Sequence, residues 1–402
     1  MVMPTHTAIL LLLLQLLLLL LACQLQCAAA AKPAKPRPPN VVLLLTDDED
    51  VVLGGFGMGG ASAADPEQPP TQPLPRAVRA LRDQGMIIQH WYAHTPVCCP
   101  SRAEILTGRM FHNLARHPTD RWDTDAHGHP EQCMHINVSA LSPGPTFAEA
   151  LGGAGYRVGF FGKYLNLSPR ETPTGTHTYL VNPGPSAKSA RDQTGEYYPQ
   201  FWYSNSANDV GGKRVFNGTR YETHIIADVV TEWLREGAAE ARAANAPPAP
   251  FFLYAAPHSP HGAAIPEPKY SGVFGSAAKA PASPRVRAPV TPSWNVSGAD
   301  HHWLVAQQPP VTAEEVAHSD TTFARRWECL LSYDDLVGTI VAEVGALGER
   351  DNTWFFLTSD HGFHFHELRL GVGKWNGAAP RPPRAPPQYK RVLEYLSRYG
   401  IR

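Results

Sequence analysis

Four short apolar runs in the sequence each end in residues that can bind ions or move protons. The runs occupy residues 41–45, 157–161, 251–256 and 354–358. A continuous apolar run of this length is typical of a strand that is buried on both faces of a parallel sheet. The polar residues that follow these runs are Asp47 and Asp48, Lys163, His258, and Asp360 with His361.

These residue types fit a site for an anionic ester and a divalent ion. The carboxylates of Asp47, Asp48 and Asp360 are hard oxygen ligands, which suit Ca2+ or Mg2+ better than a soft metal. Any one of them alone would more often be a turn residue or a surface charge. The cations that could surround an anion and stabilise charge on its oxygens are Arg102, Lys163, Lys374 and, when protonated, His258.

Amphipathic helical patterns separate the predicted strands. Apolar residues recur at helical spacing over residues 225–234 and again over 327–344. Strands that alternate with helices predict an α/β fold with a largely parallel sheet. Ligands of such sheets bind beyond the carboxyl ends of the strands. The four reactive strand ends are therefore expected to meet at one edge of the sheet.

The overall composition is that of a folded protein with a balanced charge. The 402 residues are 43% hydrophobic and 18% charged, which is enough for one large domain or two smaller ones with a real core. The formal net charge of -1 gives no reason to expect a nucleic-acid partner or an anionic membrane surface. Any anion binding must therefore depend on a local cluster of cations.

The first 31 residues are predicted to be a secretory signal peptide. Residues 8–22 are rich in leucine, are shorter than the ~20 residues of a bilayer span, and precede the small residues of "CAAAAK". No Lys or Arg precedes the run, so an uncleaved anchor is the alternative, and no stable membrane partner is expected. N-glycosylation motifs agree with the secretory pathway and begin at Asn137, Asn217 and Asn295.

Two adjacent cysteines, Cys98 and Cys99, stand out among the few that remain after the signal peptide. The others are Cys133 and Cys329, and four cysteines do not make a disulfide scaffold in a chain of this length. Zinc is disfavoured because adjacent cysteines cannot easily both point at one tetrahedral ion. The residue types alone leave two interpretations for this pair: one half of a disulfide, or a thiol in the core.

The segment around these cysteines resembles the signature of the sulfatase family. Residues 98–108, "CCPSRAEILTG", have the form C-x-P-S-R-x-x-x-L-T-G, with Cys98 at the first position. Other blocks look like those of the family in the same order between residues 38 and 374: "PPNVVLLLTDDED", "GFFGKYLN", "APHSP", "HHWL", "RRWECLLSYDDLV" and "NTWFFLTSDHGFH". The blocks "GKYLN" and "HHWL" are most similar to glucosamine-6-sulfatases, extracellular heparan endosulfatases and algal arylsulfatases.

The resemblance implies that Cys98 is a precursor and not a working thiol. In sulfatases a formylglycine-generating enzyme oxidises this cysteine to Cα-formylglycine (3-oxoalanine), and Pro100 and Arg102 belong to the sequence which that enzyme recognises. One hydroxyl of the hydrated aldehyde attacks sulfur and displaces the alcohol. The other hydroxyl then collapses to the aldehyde and expels sulfate, so that no water has to attack a hindered sulfate ester.

The resemblance also implies roles for the other residues and a fold. Arg102 is expected to support the hydrate, Lys163 and Lys374 to contact the sulfate, and His258 to move the proton at the leaving oxygen. The implied fold is that of alkaline-phosphatase-like sulfatases, with a large, mixed, mostly parallel sheet flanked by helices. The implied ligands of one Ca2+ ion are Asp47, Asp48, the modified Cys98, Asp360 and His361.

The expected organisation is a catalytic domain at 38–376 and a Pro-rich, basic tail of unknown role at 377–402. The resemblance implies a smaller C-terminal subdomain after Lys374, but no matching sequence follows. The two interpretations are a truncated chain and a misassembled gene product. The expected function is hydrolysis of aryl or carbohydrate sulfates, such as glucosamine 6-sulfate, in an extracellular, cell-wall or lysosome-like compartment. The alternatives are a phosphoesterase of the same superfamily and an inactive, sulfate-binding glycoprotein.

Overall fold

The computed structural model describes Gln15 and residues 37–49, 72–88, 91–114, 144–166, 172–182, 194–199, 201–205, 219–276 and 286–374. The elements below belong to a compact unit that begins at Pro39. Among the described residues, none of the helices combines the length and the apolar character needed to cross a bilayer. Several sequence predictions fall outside the described residues: the rest of the signal peptide, Asn137, Asn217, Cys133 and the tail at 377–402.

Six strands of the described chain form one sheet, in the order β4-β3-β2-β5-β1-β6. All neighbouring strands pair in parallel except β3 and β4, which are antiparallel. The central strand β5 is entirely buried, as its unbroken apolar sequence requires. The strands are β1 (Asn40–Thr46), β2 (Arg157–Gly162), β3 (Thr178–Val181), β4 (Trp202–Asn205), β5 (Phe251–Ala256) and β6 (Thr353–Ser359).

Two of the described helices begin at a threonine cap, and one ends at a glycine. Thr146 and Thr312 each exchange hydrogen bonds with a glutamate three residues later, which closes a capping box. Gly108 ends the second helix with a φ of 64°, a left-handed conformation that glycine adopts without strain. The helices are α1 (Pro75–Ala77, continued by a π-helical turn at Val78–Arg82), α2 (Cys98–Thr107), α3 (Phe147–Gly153), α4 (Thr194–Tyr197), α5 (Glu222–Ala243), α6 (Trp303–Ala306) and α7 (Ala313–Ala346).

The helices cover both faces of the sheet. Val42 and Leu44 on β1 belong to a core cluster with Trp233 of α5 and Leu336 of α7. Leu45 points the other way, because successive side chains of a strand alternate between faces, and it packs in a second cluster with residues of α2 and α3. The strands that end in the predicted site residues therefore lie between two layers of helices.

The predicted fold class, a mixed and mostly parallel α/β sheet, is confirmed. Each of the four apolar runs lies in a strand whose ends differ from the prediction by at most one residue. The helical patterns at 225–234 and 327–344 lie inside α5 and α7, which are longer because polar residues extend them. The sequence analysis did not identify β3 and β4, since strands of four residues lack a run long enough to read.

Candidate active site

The carboxyl ends of four parallel strands lie side by side. Thr46 of β1 pairs in register with Ser359 of β6, and Gly162 of β2 pairs with Ala256 of β5. The residues immediately after these ends are joined by backbone hydrogen bonds: Asp360 N to Thr46 O at 3.2 Å, Asp47 N to Ser259 O at 3.1 Å, and Lys163 N to Ala256 O at 2.6 Å. The predicted convergence of the strand ends is therefore present in the structure.

Helix α2 adds Cys98 and Arg102 to this edge. The two residues are four positions apart, so both side chains lie on one face of the helix, and both are buried. Arg102 Nε donates to Asp360 Oδ2 at 2.8 Å, and Arg102 Nη1 donates to the backbone oxygen of Lys163 at 2.8 Å. Its Nη2 lies 3.7 Å from Asp47 Oδ2. Arg102 thus connects three of the four strand ends.

The Sγ atom of Cys98 lies at the centre of a group of charged side chains. It is 2.8 Å from Lys374 Nζ, 3.4 Å from His361 Nε2, 3.5 Å from Asp47 Oδ1 and 3.8 Å from Asp48 Oδ1. We call these five residues the Cys98 cluster.

Two lysines neutralise the carboxylates of the Cys98 cluster. Lys163 Nζ bonds to Asp47 Oδ2, and Lys374 Nζ lies 2.8 Å from Asp48 Oδ1. Burial opposes the charged form of each lysine, but the neighbouring carboxylates raise the pKa of both above the usual range. Burial likewise opposes ionisation of Asp47 and Asp48, yet the surrounding cations hold the pKa of each well below its usual value.

The same charges activate the thiol of Cys98. Burial is the largest influence and opposes the thiolate, as do the nearby carboxylates of Asp47 and Asp48. The ammonium groups of Lys163 and Lys374 outweigh these effects and lower the pKa of Cys98 to about 6. The two ammonium groups therefore favour a negative charge at the end of the side chain at position 98.

His258, at the end of β5, is held by a carboxylate that the sequence analysis did not identify. Glu222, the first residue of α5, is buried; its Oε1 lies 2.9 Å from His258 Nδ1, and its Oε2 accepts from the backbone nitrogen of His258 at 2.7 Å. Asn182 Nδ2 donates to Glu222 Oε1 at 3.1 Å. With Nδ1 occupied, Nε2 is the ring nitrogen that can exchange a proton with a ligand.

A second histidine of the same loop also reaches the cluster. His261 Nδ1 lies 2.8 Å from Glu196 Oε2, and its Nε2 lies 3.9 Å from Asp48 Oδ2. Burial lowers the pKa of His261, but Glu196 and the two cluster carboxylates outweigh burial and raise it to about 10. The only sequence signal for this residue is its place three positions after His258 in "HSPH".

Comparison with known proteins assigns the family. The sequence model of the sulfatase family matches residues 39–388, which is most of the chain. The chain belongs to the sulfatase family. The N-acetylglucosamine-6-sulfatase of Bos taurus is 32% identical over 311 residues, which are 75% of this chain and 49% of that protein. The extracellular sulfatase SULF-1 homolog of Drosophila melanogaster is 28% identical, over 75% of this chain and 24% of that protein.

The fold agrees with the family assignment. A solved structure of BT4656 in complex with its substrate D-glucosamine-2-N,6-O-disulfate superposes with a TM-score of 0.53 at 20% identity, over 84% of this chain and 68% of that chain. The superposition therefore supports a shared fold. The chain spans about half the length of the N-acetylglucosamine-6-sulfatases it matches.

Four residues of this sulfatase chain fit the donor set of a single metal ion. Asp47, Asp48, Cys98 and His361 each offer one ligand atom, and these atoms lie within 4.8 Å of one another. Oxygens at 2.3–2.6 Å from one Ca2+ ion can be about that far apart. Asp360, the fifth predicted ligand, has other partners: its Oδ1 accepts from the backbone nitrogens of Asp48 and His361, and its Oδ2 accepts from Arg102.

The structure thus brings all nine predicted site residues to one edge of the sheet, with His258 bordering the Cys98 cluster and not inside it. The residues that sequence reasoning missed are the ones that hold the others in place. Glu222 and Glu196 orient histidines from 36 and 65 positions away along the chain, and no local pattern marks such a pairing. Arg326 of α7 was missed for the same reason, although it donates to the backbone oxygen of Asp48 at 2.6 Å.

Proposed function

We propose that this chain is a sulfuric ester hydrolase whose reactive group is made from Cys98. The observation that carries the proposal is the position of the Cys98 side chain. It is the first residue of a sulfatase signature, it is buried, and it lies within hydrogen-bond distance of Lys374 and His361 beside two carboxylates. A thiol that served only to pack the core would have apolar neighbours instead.

The modification and the ion supply the chemistry that ordinary side chains lack. Cα-formylglycine at position 98 would supply a hydrated aldehyde, which can accept the sulfuryl group and release it again without attack by water on sulfur. A divalent ion would supply a Lewis acid that lowers the pKa of that hydrate and polarises the sulfate oxygens. We propose Ca2+, held by Asp47, Asp48, the modified residue 98 and His361, with Asp360 completing or supporting the set.

The remaining residues would bind the ester and move the proton. Lys163, which is buried, and Lys374, which is partly buried, are both ion-paired and provide fixed positive charge for sulfate oxygens. Arg102, bonded to Asp360, sits one helical turn from residue 98 and stabilises negative charge there. His258, oriented by Glu222, would protonate the leaving oxygen as its bond to sulfur breaks.

The names of the relatives support a class of substrate. The vertebrate proteins that are about 32% identical are N-acetylglucosamine-6-sulfatases, and the more distant Volvox carteri relative is an arylsulfatase. We therefore propose a carbohydrate sulfate of the glucosamine 6-sulfate class as the natural substrate, with aryl sulfates as usable model substrates. The relatives named extracellular sulfatases support a route through the secretory pathway, where a formylglycine-generating enzyme would modify Cys98.

The proposal is tested by two measurements on the purified protein. The mass of the peptide that contains Cys98 should show loss of hydrogen sulfide and gain of one oxygen, the change from thiol to aldehyde. The protein should hydrolyse 4-nitrophenyl sulfate much faster than 4-nitrophenyl phosphate. Faster turnover of the phosphate would indicate a phosphoesterase. An unmodified thiol together with no turnover of either ester would indicate an inactive, sulfate-binding glycoprotein.

A further inference from the structure

His261 is a partly buried titratable residue at the candidate active site, and none of the roles proposed above belongs to it. Its side chain is 15% exposed, and its Nε2 lies 3.9 Å from Asp48 Oδ2. The centroid of its ring is 6.3 Å from that of His258. It therefore borders both the Cys98 cluster and the proposed proton donor, from the loop that follows β5.

The loop that carries His261 is bonded to the loop that carries Asp47 and Asp48. Asp47 N donates to Ser259 O at 3.1 Å. Arg326 spans the two loops, because it donates to Pro260 O at 2.9 Å and to Asp48 O at 2.6 Å. These bonds fix the backbone of the HSPH loop against the cluster, so the imidazole of His261 has little freedom to turn away.

Glu196 decides which ring nitrogen of His261 faces the cluster. The carboxylate lies 2.8 Å from Nδ1 and is itself buried, while Nε2 faces Asp48 Oδ2 at 3.9 Å. Because each ring nitrogen faces a carboxylate, each carries a proton, and Nε2–H can act as a donor. No described residue forms a hydrogen bond with Nε2. The Nε2–H group is therefore available to an anion that binds at the cluster.

We propose that His261 is a further sulfate-binding residue, oriented by Glu196, whose Nε2–H donates a hydrogen bond to an oxygen of the bound sulfate group. The inference rests on the proposed sulfatase function. Lys163 follows β2, Lys374 lies beyond β6, and His261 follows β5, so donors from three separate segments would surround the sulfate. Donors placed this way can each bond a different sulfate oxygen, which one lysine alone cannot do.

Two substitutions at one position separate the role of Nε2 from that of Nδ1. His261→Asn keeps an amide close to the position of Nδ1, so the bond to Glu196 is retained while Nε2 is lost. His261→Gln extends an amide to about the position of Nε2. The probe is inorganic sulfate, and its binding to the full-length, Ca2+-loaded protein is measured by titration calorimetry, which needs no turnover.

We expect His261→Asn to weaken sulfate binding at least tenfold, as loss of a charge-assisted hydrogen bond implies. His261→Gln should stay within a few-fold of the unsubstituted protein. The matched control is His224→Ala, because His224 Nε2 forms a similar pair with Glu267 Oε1 at 2.9 Å away from the cluster. That control should bind sulfate and Ca2+ normally.

Either of two results would overturn the inference. One is unchanged sulfate affinity in a folded His261→Asn protein. The other is a parallel loss of Ca2+ affinity, which would mean that His261 acts through Asp48 and does not touch sulfate. If both His261 variants fail to fold, Glu196→Gln takes their place; several-fold weaker sulfate binding supports the inference, and unchanged binding overturns it. Protein that binds sulfate through His261 but hydrolyses no sulfate ester would contradict the proposed function alone.

Discussion

Arg102 Nε lies 2.8 Å from Asp360 Oδ2, and neither side chain is exposed to solvent. Burial opposes the charge of Arg102, but Asp360 and other neighbours raise its pKa, so the guanidinium stays ionised. The pair joins α2, which carries Cys98, to the end of β6. A buried ion pair of this kind is costly to break because the remaining charge has no partner.

Arg102→Met is therefore expected to lower the free energy of unfolding by about 3–5 kcal/mol, measured by urea denaturation. The substitution keeps most of the side-chain volume and removes only the charge and its hydrogen bonds. Arg235→Ala is the control, because Arg235 pairs with Glu343 through two bonds on an exposed side chain. Exposed pairs contribute little, so equal losses in the two variants would contradict this account of the Arg102 pair.

Removal of divalent ions should abolish sulfate ester hydrolysis and leave the protein folded. Three clustered carboxylates would repel one another, but Lys163 and Lys374 neutralise the charges of Asp47 and Asp48. The bound ion would then stabilise the fold only through its binding free energy, about 2.7 kcal/mol at a concentration of 100 Kd. Thermal denaturation with and without chelator measures this difference, and full activity after chelation would exclude the metal.

Asp47→Asn tests the same metal site by removing one of the carboxylates that are proposed to coordinate the ion. Calorimetry should show loss of Ca2+ binding, and hydrolysis should disappear with it. The control is Asp228→Asn, because Asp228 is a solvent-exposed partner of Arg220 at 2.6 Å and lies outside the cluster. Retention of tight Ca2+ binding by Asp47→Asn would require a different set of ligands.

The sequence predicts a site residue well when a local pattern marks its position, and poorly when its role depends on a contact with a residue far away in the sequence. Asp47, Lys163 and Asp360 each follow an apolar run that the local sequence identifies as a strand. The carboxyl ends of parallel strands lie at one edge of a sheet, so these three residues are expected to meet there. Lys374 lies on irregular backbone, so no strand end marks its position, although its charge made it a candidate for binding an anion. Glu222 could not be predicted as a site residue, because its role depends on a contact with His258, which lies 36 positions away in the sequence.

Glu222→Gln and His258→Ala should slow the hydrolysis of esters with poor leaving groups. General acid catalysis contributes about 10²–10⁴-fold, and it matters most when the departing oxygen is a sugar alkoxide. His258→Ala is therefore expected to lose far more activity on glucosamine 6-sulfate than on 4-nitrophenyl sulfate, whose phenolate leaves without help. Equal losses on the two substrates would assign His258 to binding and not to proton transfer.

The Glu196–His261 pair should make stability depend on pH in the acid range. Burial opposes ionisation of Glu196, but His261 lowers its pKa from 4.5 to about 2. A carboxyl whose pKa is lower in the folded state stabilises the fold above its unfolded pKa and loses that contribution as the pH falls towards the folded value. The contribution is about 3 kcal/mol.

Glu196→Gln removes this titration. Between neutral pH and about pH 3, the unsubstituted protein should therefore lose more free energy of unfolding than the variant does. Urea denaturation at a series of pH values measures both curves. Parallel curves would show that Glu196 is not the ionised partner of His261.

Cys98 and Cys99 are neighbours in α2, yet the proposed chemistry requires Cys98 for activity and gives Cys99 only a role in packing. Cys98 Sγ lies among the charged residues of its cluster, whereas Cys99 belongs to an apolar core group with Leu45, Leu106 and Tyr164. Cys98→Ala removes the thiol without which Cβ cannot be converted to an aldehyde. Sulfate ester hydrolysis should vanish while the fold persists. Cys98→Ser keeps one hydroxyl but lacks the second oxygen that expels sulfate, so it should turn over at most once.

Cys99→Ala should have the reverse effect. Loss of the buried sulfur leaves a small cavity, which costs on the order of 1–2 kcal/mol of unfolding free energy. The folded fraction should retain its kcat, because nothing in the Cys98 cluster changes. Urea denaturation and single-turnover assays of the three variants separate these effects. Multiple turnover by Cys98→Ala, or loss of turnover in well-folded Cys99→Ala, would show that Cys98 is not the precursor of the reactive group.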